Sequence, residues 1–393
     1  MGRGFASATK TNTMADNYNF DDIRPFRDDE VPAVIQSLCA VPYFVGIIGK
    51  LFPQLPTDAV VARLKTVRSV SEFQHAFVIP YLNGLEARTT GGITASGLEG
   101  LDPKGGYLFM SNHRDIILDS AFMNVKLDAA GFDTTEIAIG SNLLIYDWIV
   151  DLVKLNKSFV VKRGMPVRQQ MDASSTLSAY VRDRIANGRR NIWIAQREGR
   201  SKDGDDKTQG SVLKMLNLSG KADLPANFAQ LNIVPVSITY EYDPCDALKA
   251  FQFQQKRDDP AYKKSPKEDL THMATGLNGR KGRVHFAFGT PINEGLKTLD
   301  GMNKNEQIAA IASMIDAQIY ANYRLFPVSY VALDALEGTS KRADHYTAED
   351  KEAFNAYLDE KIAAIEGGDA AFLRRQMLTA YANPLINHEK VAK

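Results

Sequence analysis

The 393-residue chain contains few cysteines, has no excess of either charge and lacks an uninterrupted hydrophobic run long enough to span a membrane. Cys39 and Cys245 are far apart and have no metal-ligand spacing, so a disulfide framework is excluded and a reducing compartment is indicated. Lys and Arg number 47 and Asp and Glu also number 47, so the overall charge predicts no nucleic-acid partner. With 44% hydrophobic residues, the chain can form one large globular domain with additions.

Several enzyme classes are excluded by motifs that the sequence does not contain. It has neither the G-x-x-x-x-G-K-[ST] pattern of P-loop NTPases nor the G-x-S-x-G pattern of serine hydrolases. His113-Arg114-Asp115 matches the first letters of the kinase catalytic loop, but Ser120 occupies the position where kinases need asparagine. No glycine-rich ATP loop or D-F-G accompanies it, so the kinase class is excluded as well.

The N-terminal region is predicted to be helical and to contact a membrane. Residues 1–20 are expected to be a disordered or added segment, and residues 21–88 a helical region. Residues 31–49 carry no charge, but Pro32 and Pro42 interrupt them and Lys50 follows at once. Three interpretations are open for this stretch: an in-plane membrane-contacting segment, which we favour, a buried core helix, or a transmembrane span.

From residue 89 to 300 short apolar runs alternate with periodic helical segments, which predicts an α/β domain. We expect a mostly parallel or mixed central sheet flanked by helices. Residues 301–393 return to helical periodicity and predict a C-terminal helical extension. The predicted strands are residues 93–97, 107–111, 136–140, 158–162, 192–196, 233–240 and 283–289.

One predicted strand-to-helix junction carries a candidate catalytic base. His113 follows the strand at residues 107–111 and precedes a helix predicted at residues 116–125. Asp115 and Asp119 lie four residues apart, so a helix would put both carboxylates on one face near the imidazole. This pattern is typical of a histidine base with an orienting carboxylate.

Two later strands end in basic residues. Residues 158–162 run into Lys162 and Arg163, and residues 192–196 run into a loop that contains glycines and cations. Because the ends of parallel strands converge on one edge of a sheet, these groups are expected to share a cleft with His113. Arginine suits phosphate or carboxylate recognition, and glycine lets the backbone approach a ligand. The sequence therefore predicts chemistry on a phosphorylated alcohol.

Four blocks in this order resemble the glycerolipid acyltransferases, which acylate glycerol-3-phosphate or 1-acylglycerol-3-phosphate. The matching blocks are Asn112-His113 with the aspartate that follows, Arg163, Glu198-Gly199-Arg200-Ser201, and Val234-Pro235-Val236. The resemblance covers roughly residues 91–294 and implies a glycerol-3-phosphate acyltransferase-like fold. It implies direct acyl transfer from acyl-CoA or acyl-ACP to a hydroxyl, without an acyl-enzyme and without a metal or organic cofactor.

The resemblance also assigns roles to individual residues. His113 is the implied base and an aspartate is its partner, while Arg163 and Arg200 are the implied phosphate ligands. Glu198 and Gly199 are implied parts of the acceptor loop, and Arg114 is a further candidate for the positive surface. The full set of predicted acceptor-binding residues is Asn112, Arg114, Lys162, Arg163, Glu198, Gly199, Arg200, Ser201 and Lys202.

The sequence departs from the family pattern at the catalytic aspartate. The family places this residue five positions after the histidine, where this chain has Leu118, and Asp119 comes one position later. One residue rotates a helix by about 100°, so a π-bulge or a shifted helix start is needed to bring Asp119 to His113. Asp119 is the favoured partner, Asp115 is the alternative, and an inactive site is the third possibility.

Three functions are therefore compared. We expect an acyltransferase of membrane lipid synthesis, located in the cytoplasm and bound peripherally to the inner face of the cytoplasmic membrane. The alternatives are an acyltransferase that acts on a non-phosphorylated amino-acid lyso-lipid, whose carboxylate arginine also recognises, and a non-catalytic lipid-binding protein with this fold.

Overall fold

A computed structural model describes residues 18–392 of the chain, apart from the side chain of Pro266. Most of the segment predicted to be disordered or added, residues 1–20, lies outside the described residues. The described part contains a seven-stranded sheet. Its strands are β1 (Thr90–Ser96), β2 (Leu108–Ser111), β3 (Glu136–Gly140), β4 (Ser158–Val161), β5 (Ile192–Ala195), β6 (Ile233–Tyr240) and β7 (Gly282–Phe288).

The sheet is mixed, as the alternation of strands and helices predicted. Its order is β1-β7-β6-β2-β5-β3-β4. Strands β2 to β6 run parallel, whereas β7 pairs antiparallel with β6 and β1 pairs parallel with β7. Strand β2 lies between β5 and β6, so the loop that carries His113 begins at the middle of the sheet.

Helices cover both faces of the sheet. Side chains alternate along β2: Leu108 and Met110 pack in the hydrophobic cluster on one face, and Phe109 packs in the cluster on the other. The helices before and between the strands are α5 (Ile79–Thr89), α6 (Leu118–Ala129), α7 (Asp147–Leu155), α8 (Val167–Ala186), α9 (Gly210–Asn217), α10 (Leu224–Ala229), α11 (Asp246–Asp258) and α12 (Pro266–Asn278). Few apolar residues occur in α11 and α12, so hydrophobic periodicity did not predict these two helices.

The N-terminal region is helical but more broken than its periodicity predicted. Its helices are α1 (Val31–Cys39), α2 (Pro42–Leu51), α3 (Thr57–Leu64) and α4 (Val70–Phe73), and a π-helical turn (Gln74–Val78) joins α4 to α5. Pro42 opens α2, and α1 and α2 are bent by 96° relative to each other. Within residues 18–392 no single helix has the length and apolar composition to cross a membrane, whereas α1 and α2 taken together meet both criteria as a bent pair.

Most of the C-terminal extension packs in a hydrophobic cluster that is separate from the two clusters on the faces of the sheet. The short helix α13 (Asn293–Leu296) precedes the extension, which comprises α14 (Lys304–Ala321), α15 (Pro327–Glu337), α16 (Ala348–Ala363) and α17 (Ala370–Val391). Helices α15, α16 and α17 share this cluster with α11, while α14 packs against the sheet. The extension therefore lies directly beside the segment that follows β6, close to the end of the central strands.

Candidate active site

His113 and Asp119 form a hydrogen-bonded pair at the carboxyl end of β2. The imidazole Nδ1 lies 2.8 Å from Asp119 Oδ2, and the same carboxylate oxygen accepts hydrogen bonds from the backbone N–H groups of Arg114 and Asp115. The His113 side chain is 14% exposed and that of Asp119 is fully buried. With Nδ1 donating to the carboxylate, Nε2 of the imidazole is left as the proton acceptor.

A late helix start explains how Asp119 reaches His113 despite the extra residue. The apolar pattern predicted a helix that starts at residue 116. Helix α6 instead begins at Leu118, because Ile116 and Ile117 form a turn first. Asp119 therefore lies in the first turn of α6, facing back toward the loop. The altered spacing is therefore accommodated by a shifted helix start and not by a π-bulge.

Asp115 does not contact His113 and acts as a helix cap. Its Oδ1 accepts hydrogen bonds from the backbone N–H groups of Ile117 and Leu118, at 2.9 and 2.8 Å. Burial raises the pKa of Asp115, and the nearby Asp119 carboxylate raises it further. The alternative in which Asp115 orients the base is thereby corrected: its carboxylate is engaged by the backbone that opens α6.

Asn112 and Arg114, which were predicted to bind the acceptor, are hydrogen-bonded within the protein interior. Both are buried. The Arg114 guanidinium donates to both oxygens of Asp206, at 2.7 and 2.5 Å, and Asn112 Nδ2 donates to Asp206 and to the carbonyl of Ile238. The hydroxyl of Tyr323 also donates to Asp206, at 2.5 Å. Asp206 therefore fixes the residues on both sides of His113, a role that its sequence context did not predict.

Trp193 of β5 also supports the histidine. Its ring meets the His113 ring edge to face at a centroid distance of 5.5 Å, and its Nε1 donates to Ser111 Oγ at 2.9 Å. Trp193 is buried, so the indole forms a rigid wall beside the imidazole. The sequence signal for this contact was weak: Trp193 sits in an apolar strand where a large side chain is ordinary core.

Arg163 and Glu198 are brought together, whereas Lys162 lies apart from them. Arg163 Nη1 donates to Glu198 Oε1 at 2.7 Å; these side chains follow β4 and β5, and they are 36% and 70% exposed. Lys162 instead pairs with Asp22 at 3.2 Å. Part of the positive charge predicted for the cleft is therefore balanced by carboxylates of the chain itself.

Arg200, Ser201 and Lys202 lie on the loop after β5, and this loop is tied to the catalytic residue. The Ser201 N–H donates to the His113 carbonyl at 2.9 Å, which fixes the loop beside the imidazole. The pKa of Lys202 is lowered by burial and by the neighbouring cations Lys264 and Arg200. Gly199 has φ +68°, which gives the loop its tight turn.

His272 of α12 holds Arg200. His272 is buried and its Nδ1 lies 3.1 Å from Arg200 Nη2, so it accepts a hydrogen bond as the neutral imidazole. Burial and the Arg200 charge lower the pKa of His272 to about 3. His285 of β7 hydrogen-bonds Thr94 and Ser96 on β1.

The arrangement supports base catalysis at Nε2 of His113 beside a loop that carries two cations. Among residues 18–392 no group of three or more His, Cys, Asp or Glu side chains has the geometry of a metal site. The chemistry available from these residues is proton abstraction from a hydroxyl, next to a guanidinium and an ammonium that attract an anion.

Comparison with known proteins identifies the domain. The acyltransferase family profile matches residues 92–239, which include His113, Asp119, Arg163 and Arg200. No curated protein sequence matches the chain. Among solved structures, the 1-acyl-sn-glycerophosphate (LPA) acyltransferase PlsC of Thermotoga maritima aligns at 11% identity with a TM-score of 0.36, over 72% of this chain and 91% of that one.

Proposed function

Residues 92–239 form an acyltransferase-family domain, so the chain is an acyltransferase, and on this premise we propose that it acylates a phosphorylated glycerol. The proposed donor is acyl-ACP or acyl-CoA, and the proposed acceptor is glycerol-3-phosphate or 1-acylglycerol-3-phosphate. The observation that carries the proposal is the His113–Asp119 pair, 2.8 Å apart, on a loop hydrogen-bonded to the loop of Arg200 and Lys202.

In the proposed reaction His113 Nε2 takes the proton of the acceptor hydroxyl as its oxygen attacks the thioester carbonyl. Asp119 holds the imidazole in the tautomer that has Nε2 free and stabilises the imidazolium that forms. When the tetrahedral intermediate collapses, the C–S bond breaks and the imidazolium returns its proton to the departing thiolate. The products are an ester and a thiol, with no covalent bond to the protein.

The proposed acceptor phosphate lies at Arg200 and Lys202. The position of the two cations supports this assignment, because both lie on the loop whose Ser201 N–H is hydrogen-bonded to His113, and a guanidinium and an ammonium there attract an anion. Arg163 is a weaker phosphate ligand than its sequence position indicated, because Glu198 takes one of its donors. An acceptor carboxylate suits the same cations, which makes the amino-acid lyso-lipid the second candidate.

Acyl-transfer assays on the purified protein test the proposal. With acyl-ACP and acyl-CoA as donors, glycerol-3-phosphate and lysophosphatidic acid are expected to be acylated and lyso-aminolipids are not. His113→Ala is expected to reduce kcat by about 10²-fold or more, while the exposed control His75→Ala retains activity. Acylation of lyso-aminolipids alone would overturn the phosphate assignment, and full transfer by His113→Ala would overturn the role of the base.

We further propose that the protein binds a membrane surface through an aromatic patch. The patch, which consists of Tyr43, Ile145, Tyr146 and Trp148, joins α2 to the segment after β3. The Tyr43 and Trp148 rings are 5.8 Å apart, those of Tyr146 and Trp148 are 6.5 Å apart, and Tyr43 and Tyr146 are 67% and 54% exposed. Amphipathic rings favour the headgroup region of a bilayer.

The position of the aromatic patch also supports membrane binding. Residues 145–148 follow the carboxyl end of β3, and the His113 loop follows the carboxyl end of β2, which runs parallel to β3 in the same sheet. A bilayer against the patch would therefore lie on the edge of the sheet where the acyl chains are expected. The proposed location is the inner face of the cytoplasmic membrane, with the protein bound peripherally.

A further inference from the structure

The buried ammonium of Lys249 is hydrogen-bonded to the backbone of the loop that carries His113. Lys249 of α11 is 2% exposed, and its Nζ donates a hydrogen bond of 2.7 Å to the carbonyl of Arg114, the residue directly after His113. The same Nζ donates to Asp243 Oδ2. A buried ammonium is stable only when it is paired and hydrogen-bonded, and the contacts with Asp243 and the Arg114 carbonyl meet both conditions.

The carboxylate that balances Lys249 belongs to a wider polar network. Asp243 Oδ1 accepts from the Cys245 N–H at 2.9 Å, and the Asp243 N–H donates to the Tyr381 hydroxyl at 3.0 Å. Burial opposes ionisation of Asp243, but the Lys249 ammonium outweighs it and lowers the pKa of Asp243. Lys249 and Asp243 therefore form a buried ion pair.

The network continues into the C-terminal extension. Asp246 accepts hydrogen bonds from the hydroxyls of Tyr357 on α16 and Tyr381 on α17, at 2.9 and 2.6 Å. These helices and α11 lie outside residues 92–239, which the family profile covers. A contact to the catalytic loop is thus supplied by a part of the chain beyond the matched domain.

The Arg114 peptide is a sensitive point for the site. Its N–H donates to Asp119 Oδ2, the oxygen that also holds the His113 imidazole, and its carbonyl accepts from Lys249. Rotation of the residue 114–115 peptide would carry with it the Asp115 N–H, which also donates to Asp119. The Lys249 hydrogen bond fixes that rotation.

We propose that Lys249 is a positioning residue for acyl transfer: by anchoring the Arg114 carbonyl it keeps Asp119 and the His113 imidazole aligned. The proposal rests on the acyl transfer at His113 proposed above. It assigns Lys249 no contact with either substrate, so its removal lowers kcat and leaves both KM values near those of the unchanged protein.

Two variants distinguish a role of Lys249 in aligning the catalytic residues from a role in neutralising the buried charge of Asp243. Lys249→Met leaves Asp243 as a buried charge without its ammonium, which destabilises the fold. In Lys249→Met with Asp243→Asn that charge is gone, and the asparagine oxygen still accepts from Cys245. Lys281→Met is the matched control: Lys281 is equally buried, but it donates to Thr89 and to the carbonyls of Leu277 and Gly279.

The measurements are the melting temperature, kcat and both KM values of the full chain. The double variant is expected to recover most of the melting temperature lost in Lys249→Met and yet to keep a kcat about 10-fold or more below that of the unchanged protein. A kcat that returns with stability in the double variant would overturn the proposal. So would a kcat loss of equal size in Lys281→Met at the same stability.

This outcome is distinct from failure of the proposed function. If the unchanged protein transfers no acyl group to any acceptor, acyl transfer itself fails. If it does transfer and the double variant matches its kcat, only the role of Lys249 fails.

Discussion

At the residue scale, two neighbouring aspartates have different surroundings and are expected to behave differently. Asp119 takes the hydrogen bond from His113, whereas Asp115 accepts from backbone N–H groups at the start of α6. Asp119→Asn keeps the shape but removes the charge that holds the imidazole tautomer and stabilises the imidazolium. We expect it to lower kcat by roughly 10²-fold or more.

Asp115→Asn is the matched substitution, because an asparagine oxygen caps a helix about as well as a carboxylate does. We expect its kcat to stay within a few-fold of that of the unchanged protein, with little change in melting temperature. Steady-state kinetics and thermal unfolding of both variants check this pair. A larger kcat loss in Asp115→Asn than in Asp119→Asn would reverse the assignment.

The residue scale also shows what sequence reasoning can find in a site. His113 and both candidate carboxylates were predicted because they are adjacent in the chain. Asp206 was missed, although it binds Arg114 from 92 residues away, because an aspartate in the polar loop of residues 203–207 has no local signature. Lys249 was missed for the same reason: its burial depends on the packing of α11, which the sequence pattern did not predict.

At the element scale, membrane binding by helix α2 and the segment after β3 can be tested with substitutions. Deleting residues 31–50 would remove buried side chains such as Val31, Ile35 and Phe44, so loss of binding could then reflect unfolding. Substitution of exposed residues avoids this. Tyr43→Glu with Tyr146→Glu replaces two interfacial rings with carboxylates, which anionic headgroups repel, and we expect vesicle binding to fall about 10-fold or more.

Co-sedimentation with vesicles that contain anionic phospholipid measures this effect. Leu218→Glu is the control, since Leu218 is 39% exposed and does not belong to the aromatic patch. Equal binding by the double variant and the unchanged protein would reject the patch as the docking surface. Equal losses in the double variant and in Leu218→Glu would point to nonspecific charge repulsion and would also reject it.

At the scale of the whole molecule, a buried carboxyl makes stability depend on pH. Asp246 joins α11 to α16 and α17, and burial together with the Asp243 charge raises its pKa from 3.8 to about 6. Between these values the folded state binds more protons than the unfolded state, so this contribution to stability is fully present below about pH 4 and is lost as pH rises toward 6.

Asp246→Asn removes the titration and keeps an oxygen for both tyrosine hydroxyls. The free energy of unfolding of Asp246→Asn, relative to the unchanged protein, is therefore expected to rise by on the order of 1–3 kcal/mol between pH 4 and 7. Urea unfolding across this interval measures it. Asp334→Asn is the control: hydrogen bonds lower the pKa of Asp334 despite burial, so its difference should stay nearly constant. If the free energy of unfolding of Asp246→Asn relative to the unchanged protein did not change with pH, Asp246 would not be the titrating group.

The sequence by itself determined the class of the fold and the chain positions of the reactive groups. Hydrophobic periodicity and the alternation of strands with helices are local properties, so they predicted the central sheet, the strand before His113 and the helical C-terminal extension. Boundaries were less certain: the helix expected from residue 116 begins at Leu118, because the turn before it depends on the Asp115 cap and the contacts of Asp119.

Only the tertiary structure decided which charges face a ligand and which face each other. Arg114 is paired with Asp206, and Arg163 is paired with Glu198. Arg200 is hydrogen-bonded to His272 of α12, a helix that hydrophobic periodicity did not predict. These pairs join distant segments, and their partners are selected by packing and burial, because a buried charge must find a partner wherever the fold brings one. Neighbouring residues in the sequence therefore do not predict which partner each charged group has in the folded protein.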